Sequence, residues 1–240
     1  MRFWEVDFAR GTAVILMVLF NWSFALKYLN ILSITDSWIF WEIFPRFIAS
    51  MFIFIVGVSL VLSYNYTANF HLSYKKNIKR GLKIFGLGLL ITLVTWLFIP
   101  QDFIFFGILH LIGFSVIFAT PFLKFKKINL YLSLITIIAG VLLSRFSFNF
   151  SWLSWLGFIP KVFSTLDYFP VLPWFGFVLL GIYFGNTLYK HNKRKFKIQD
   201  YSNARFVKFV NFLGKNSLTI YLLHQPLLIL ILFILGYNTI

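Results

Sequence analysis

Residues 40–99 read FWEIFPRFIASMFIFIVGVSLVLS (40–63), YNYTANFHLSYKKNIKRGLK (64–83) and IFGLGLLITLVTWLFI (84–99). Two long apolar runs flank a short segment carrying Lys75, Lys76, Lys79, Arg80 and Lys83. Such alternation marks a chain that crosses a bilayer, because translocating Lys and Arg is unfavourable and cytoplasmic loops retain them. Working outward, the apolar runs fall at 10–31, 40–63, 82–99, 103–123, 128–145, 169–189 and 217–237. A helix of about 20 residues rises about 30 Å, the thickness of a hydrocarbon core, and some of these runs only just reach that.

The basic residues decide the topology. Every second gap holds a cluster: 64–83, then Lys124, Lys126 and Lys127, then Lys190, Lys193, Arg194, Lys195, Lys197, Arg205, Lys208 and Lys215. Arg2 and Arg10 stand at the N-terminal end of the first run, and the outer ends of the runs and the gaps between them hold only Lys27, Arg46, Arg145 and Lys161. The expected fold is therefore an all-α integral membrane protein, a single bundle of seven transmembrane helices over 1–240, with the N-terminus cytoplasmic and the C-terminus outside. The expected location is the cell membrane, crossed several times.

Composition narrows the function classes. Apolar residues make up 60% of the chain and include 33 Phe, more than a soluble domain of this size could bury. The net charge of +15 lies in short loops beside the runs, which points to an anionic cytoplasmic leaflet and away from nucleic acid. With no cysteine there is no disulfide, thiol nucleophile or thiolate metal site. The first run is too long for a cleavable signal, and Asn21, Trp22 and Phe24 occupy the place of a small-residue cleavage site. Trp38, Trp41, Trp96 and Tyr168 sit near run ends, as an interfacial aromatic belt requires.

No gap is long enough for a second folded domain, and no internal repeat of the transporter kind is visible. The apolar, aromatic gap 146–168 does not read as a solvated loop; it lies on the membrane surface or folds back over the outer mouth. The gap 190–216 reads as a basic linker leading to an amphipathic turn around Phe206–Phe212. Gly81, Gly86, Gly88, Gly181 and Gly185 suit close helix packing. Asn65-Tyr-Thr67 matches a glycosylation sequon but falls on the cytoplasmic side.

Polar groups at membrane depth are costly and mark sites. Asn21 falls mid-membrane in the first run. Arg46 lies one turn after Glu42 in the second, where an ordinary i, i+4 pair competes with a functional role. His110 stands in the fourth run. His224 stands in the seventh with Gln225 and Pro226, whose missing N–H frees a carbonyl one turn earlier, so Tyr221, His224 and Gln225 can surround a polar kink. His71 and His191 sit among loop charges. Glu5, Asp7 and Arg10 cluster where the first run begins; acids suit the positive end of a helix, and Asp7 and Arg10 have i, i+3 spacing. The four His are scattered and the carboxylates solitary, so no metal site is expected.

The segments MRFWEVDFARGTAVILMVLF, IFIVGVSL, FFGILHLIGFS, LDYFPVLPWFGFVLLGI and LGKNSLTIYLLHQP, in that order, resemble the bacterial and archaeal relatives of heparan-α-glucosaminide N-acetyltransferase, a group placed among the transmembrane acyltransferases. The likeness covers nearly the whole chain, which is shorter than the lysosomal enzyme and has fewer runs. It implies transfer of an acetyl group from cytosolic acetyl-CoA to a sugar or glycan acceptor on the far side of the membrane, without a metal. On that reading Asp7, Arg10, Lys79 and Arg80, with His224 and Gln225, lie on the acyl-CoA side. Asp36, Asp102 and Asp167 lie on the acceptor side. Acyl transfer needs a group to take a proton and one to steady an oxyanion. His110 is the expected base, with Asn21 or Arg46 steadying charge.

The departures are specific. Many relatives resemble a pattern with His at the position of Asn21 and Asp at that of Ala25. The His proposed as catalytic in the lysosomal enzyme precedes a Ser-Trp that looks like Ser37-Trp38, and here Thr35-Asp36 stand in that place. Asp36 is then a substitute base or an ordinary loop acid. Two other functions stay open: a transporter or flippase-like carrier, suggested by Pro45, Pro226 and His at two depths, and a catalytically degenerate member acting as a membrane binding partner. The donor chain length, the acceptor and assembly into a homo-oligomer are left open.

Overall fold

A computed structural model of the protein describes residues 3–28, 31, 37–67, 70–190 and 193–236. The chain is mostly helical. Its α-helices are α1 (Trp4–Tyr28), α2 (Phe44–Thr67, entered through a π-turn at Ile39–Ile43), α3 (Phe70–Phe98), α4 (Ile108–Phe118), α5 (Lys127–Leu143), α6 (Val171–Leu188), α7 (Arg205–Lys215) and α8 (Ser217–Ile234). The only strands among the described residues, β1 (Tyr189–Lys190) and β2 (Lys193–Arg194), pair antiparallel.

Among the described residues five stretches are long and apolar enough to cross a membrane: Trp4–Lys27, Ile39–Thr67, Phe70–Phe98, Val171–Leu188 and Ser217–Ile234. The runs at 103–123 and 128–145 give the shorter apolar helices α4 and α5. The reason for α4 is local. Its helix starts only after Gly107, which has an extended backbone, and Pro121 turns the chain after Phe118 into a 3₁₀ segment, Thr120–Lys124. In so apolar a run hydropathy does not register either boundary.

The chain forms two compact units. The first comprises residues 1–52 and 198–240, the second 53–197, and α2 passes from one into the other. In the first, α1 and α7 meet by close backbone approach. A Cβ on Gly11 would strike the carbonyl of Val210, and one on Gly214 the carbonyl of Asp7. Near the other end of α1, Phe20 packs its ring against Phe40, Trp41 and Phe44.

The second unit repeats the device. Gly57 on α2 and Gly181 on α6 leave room for each other's backbone, and Gly185 lies against Val61. Gly81 meets Gly113 and Ile117 on α4, and Gly140 on α5 meets Pro173. Gly86 has open space beside it, so the packing role read for it from sequence does not hold. On α5 the exposed apolar side chains Ile128, Tyr131, Ile135, Ile138 and Leu142 recur every three or four residues. A continuous stripe of that kind on one helix face is what lipid contact demands and water would penalise.

The segment 146–168 is ordered without a long helix. Phe148 and Ile159 join by a backbone hydrogen bond of 2.9 Å, and the rings of Phe148, Phe150 and Phe158 cluster. Backbone bonds from Leu166 to Asp102 and from Phe169 to Phe106 fasten it to the lead-in of α4.

Replacing Gly181 with Val should drive a branched side chain into the α2 backbone and cost about 1–3 kcal/mol, the usual range for overpacking. Gly86→Ala, with nothing to strike, should leave stability level or raise it slightly. Thermal unfolding of the purified variants in detergent checks the contrast.

Candidate functional site

Two groups of polar side chains stand out, one in each unit. In the first unit Asn21, on α1, and His224, on α8, come together across 203 positions of sequence. Asn21 Nδ2 lies 3.1 Å from His224 Nε2, and His224 Nδ1 lies 2.6 Å from the backbone carbonyl of Tyr221. A carbonyl can only accept, so Nδ1 carries the proton and Nε2 presents its lone pair to the Asn21 amide. The imidazole is thus held in one tautomer with its basic nitrogen toward α1. Pro226 two residues later gives no N–H to the helix ladder, so α8 is locally short of donors next to this ring. His224 is buried, and Gln225 beside it is half-buried.

At the start of α1, Asp7 is buried and takes a 3.0 Å ion pair from Arg10 Nη1, as the i, i+3 spacing anticipates. The backbone around Asp7 is the surface against which Gly214 of α7 packs. Glu42 and Arg46 form the expected i, i+4 pair at 2.6 Å, with both side chains largely in the open. Exposed pairs of this kind contribute little to stability.

The second unit holds His110 on α4, 2% exposed. It occupies the first turn of the helix and its Nδ1 accepts from the Gly107 N–H at 3.2 Å. The proton then sits on Nε2, 3.4 Å from Thr92 Oγ1, which donates onward to the Ile104 carbonyl at 2.6 Å. Phe106 stacks on the ring, Phe85 meets it edge-on, and Gly88 leaves the space in which it fits. Every polar atom of this imidazole is engaged. Asp167 accepts from the Ile108 N–H at 3.0 Å, holding the first turn of the same helix, and Ser164 donates to Asp102. Tyr168 donates to the Ser154 carbonyl at 2.7 Å, and burial pushes its phenol up to about 12.

The sequence-derived candidates therefore divide. Asn21 joins His224, Asp7 joins Arg10, and Arg46 joins Glu42 in the first unit. His110, Asp102 and Asp167 belong to the second and there hold α4 and its lead-in. Lys79 and Arg80 lie exposed on α3. Asp36 and His191 lie outside the described residues. Sequence reading passed over Thr92 as the partner of His110, since the two lie on different helices 18 positions apart and no local pattern joins them. It also passed over Asn211 and Trp4, whose Oδ1 and Nε1 are buried without a hydrogen-bond partner. Among the described residues no cluster of three or more His, Cys, Asp or Glu could hold a metal.

Apolar helices of spanning length, with a few ionisable groups fixed at depth, define a helical membrane protein. The family model described as heparan-alpha-glucosaminide N-acetyltransferase, catalytic, matches residues 2–226, and the chain belongs to that family. A membrane acetyltransferase type of function comes with that membership. Neither a curated protein nor a solved structure matches the chain significantly.

Thr92→Val should leave the His110 Nε2 proton without an acceptor and lower the stability of the protein by about 1–3 kcal/mol. Thr92→Ser, which keeps the hydroxyl, should recover most of that loss in the same unfolding measurement.

Proposed function

We propose that the protein moves an acetyl group from cytosolic acetyl-CoA to a sugar or glycan acceptor at the outer face of the cell membrane, with residues 1–240 as one catalytic domain. The Asn21–His224 pair carries this reading: a buried imidazole of fixed tautomer whose basic nitrogen is held by one side-chain amide.

The base is His224. Its Nε2 is freed when a single amide swings away, whereas the lone pair of His110 is held by a backbone N–H inside an aromatic box. His224 takes the proton of the acceptor's amine or hydroxyl as that nitrogen or oxygen attacks the thioester carbonyl. Asn21, released, donates to the carbonyl oxygen as charge builds there, the usual task of an oxyanion donor. The carbon–sulfur bond breaks and the thiol departs with the proton. Asp7, Arg10, Lys79, Arg80 and Gln225 serve the donor side, since guanidinium and ammonium groups suit its phosphates. Asp102 and Asp167 hold the acceptor-side segment 146–168 in shape, and Arg46 keeps to the interface with Glu42.

Seven crossings accompany this reading, with the N-terminus inside and the C-terminus outside. The alternation of basic gaps supports them. The 17 residues of α5 rise about 25 Å, enough for a thin or locally compressed bilayer, and the eleven of α4 about 16 Å, the rest of that crossing falling to the segments that flank it.

Calorimetry of the purified protein in detergent should give saturable acetyl-CoA binding that weakens in Arg10→Ala. No binding at millimolar donor would sink the proposal. His224→Ala should then lower acetyl transfer by about 10²- to 10⁴-fold while donor binding persists, the range for a lost general base. Undiminished turnover in that variant, with loss in a folded His110→Ala, would pass the role of base to His110.

A further inference from the structure

The surface of α7 is divided in a way the transfer reaction does not use. Val207, Val210, Asn211 and Gly214 are buried, facing α1. Phe206, Phe209 and Phe212, spaced one turn apart, are all more than half exposed. Lys208 and Lys215, two turns apart and both exposed, fall on the strip between those faces, beside Asn211. The helix ends at Lys215 and α8, an apolar stretch of spanning length, starts at Ser217, so α7 is tethered to the end of a membrane segment.

A cleft of about 370 Å³ opens on this strip, lined by Trp4, Asp7, Ser202, Lys208, Asn211 and Lys215, all in the first unit. Its size is that of a small-molecule site. Asn211 is 7% exposed and its Oδ1, an acceptor, has no donor; Trp4 Nε1, a donor, has no acceptor. Two ammonium groups stand at the rim. Asp7 is already matched by Arg10, which leaves the lysines' charge uncompensated by it. The lining thus calls for an anion that also carries a hydroxyl donor, delivered at the level of the membrane surface.

We infer that this cleft binds the headgroup of an anionic glycerophospholipid, with phosphate at Lys208 and Lys215, a headgroup hydroxyl toward Asn211, and the acyl chains alongside Phe206, Phe209 and Phe212. The lipid source is favoured over a free phosphate ester by the phenylalanine ridge. Aromatic side chains on the outer face of a cationic helix partition into the boundary between headgroups and acyl chains, and basic side chains add attraction to anionic lipid. The cleft shares Asp7 with the proposed donor side, whereas Lys208, Asn211 and Lys215 are its own, and lipid occupancy is read without any acyl donor.

Native mass spectrometry of the full chain, titrated with phosphatidylglycerol or phosphatidylcholine in detergent, tests the assignment. The expected result is one phosphatidylglycerol retained in preference to phosphatidylcholine. The Lys208→Ala/Lys215→Ala double variant should weaken that binding about 25-fold, since each lysine near anionic lipid is worth about fivefold. Asn211→Leu should weaken it with the lysines intact; should that buried substitution fail to fold, the exposed lysine pair carries the test alone. Equal retention of the two lipids, or unchanged phosphatidylglycerol binding in the double variant, overturns the proposal. Displacement of the lipid by glycerol 3-phosphate at equal concentration also overturns it, by showing a site for free phosphate esters.

Discussion

Helices in hydrocarbon gain nothing by hiding apolar side chains from one another, because lipid tails are as apolar as leucine. What remains is van der Waals contact, which grows as backbones approach. Both units use such close approach. Gly11 and Gly214 let α1 and α7 touch main chain to main chain, and Gly57 and Gly181 do the same for α2 and α6. A side chain at any of these positions would strike a carbonyl oxygen. The large apolar residues are then free to face outward, as the lipid stripe on α5 does. The abundance of phenylalanine follows: it fills the surface that lipid covers more than it fills the cores.

Close approach also fixes what polar side chains can do. His110 and His224 are the same residue type, both buried, both in helices, yet their surroundings differ in kind. Around His110 the donors and acceptors close on themselves through Gly107, Thr92 and Ile104, so the ring works as a plug that fastens the start of α4. Around His224 only the Nδ1 side is fixed by backbone; the other nitrogen meets a side-chain amide with rotational freedom. One site is built to stay shut, and the other can open by a rotation about a single residue.

Much of this was legible in the order of residues. The five longest helices follow from the apolar runs, and the Asp7–Arg10 and Glu42–Arg46 pairs from their spacing on one helix face. The amphipathic turn near Phe206 became the eleven-residue helix α7. The illegible parts have two physical causes. Around α4 the run is apolar on every face, so periodicity could not mark where Gly107 and Pro121 interrupt the helix. The Asn21–His224 contact depends on α1 and α8 pairing over 203 positions, and no local pattern encodes a distance of that kind.

That contact bears on the departure at Asn21. An asparagine cannot take a proton, and at a position where the family resemblance implies histidine it suggests, read alone, a lost base. Read with its neighbour, the position is different: the imidazole stands 3.1 Å away, supplied by the other helix. The amide, unlike an imidazole, stays neutral and offers both a donor and an acceptor, so it can cap Nε2 in one rotamer and face a developing negative charge in another. A second histidine at position 21 would instead place two titratable rings in contact, each disfavouring the charged form of the other. Asparagine beside His224 leaves one titratable ring at this contact and gives it a neutral partner.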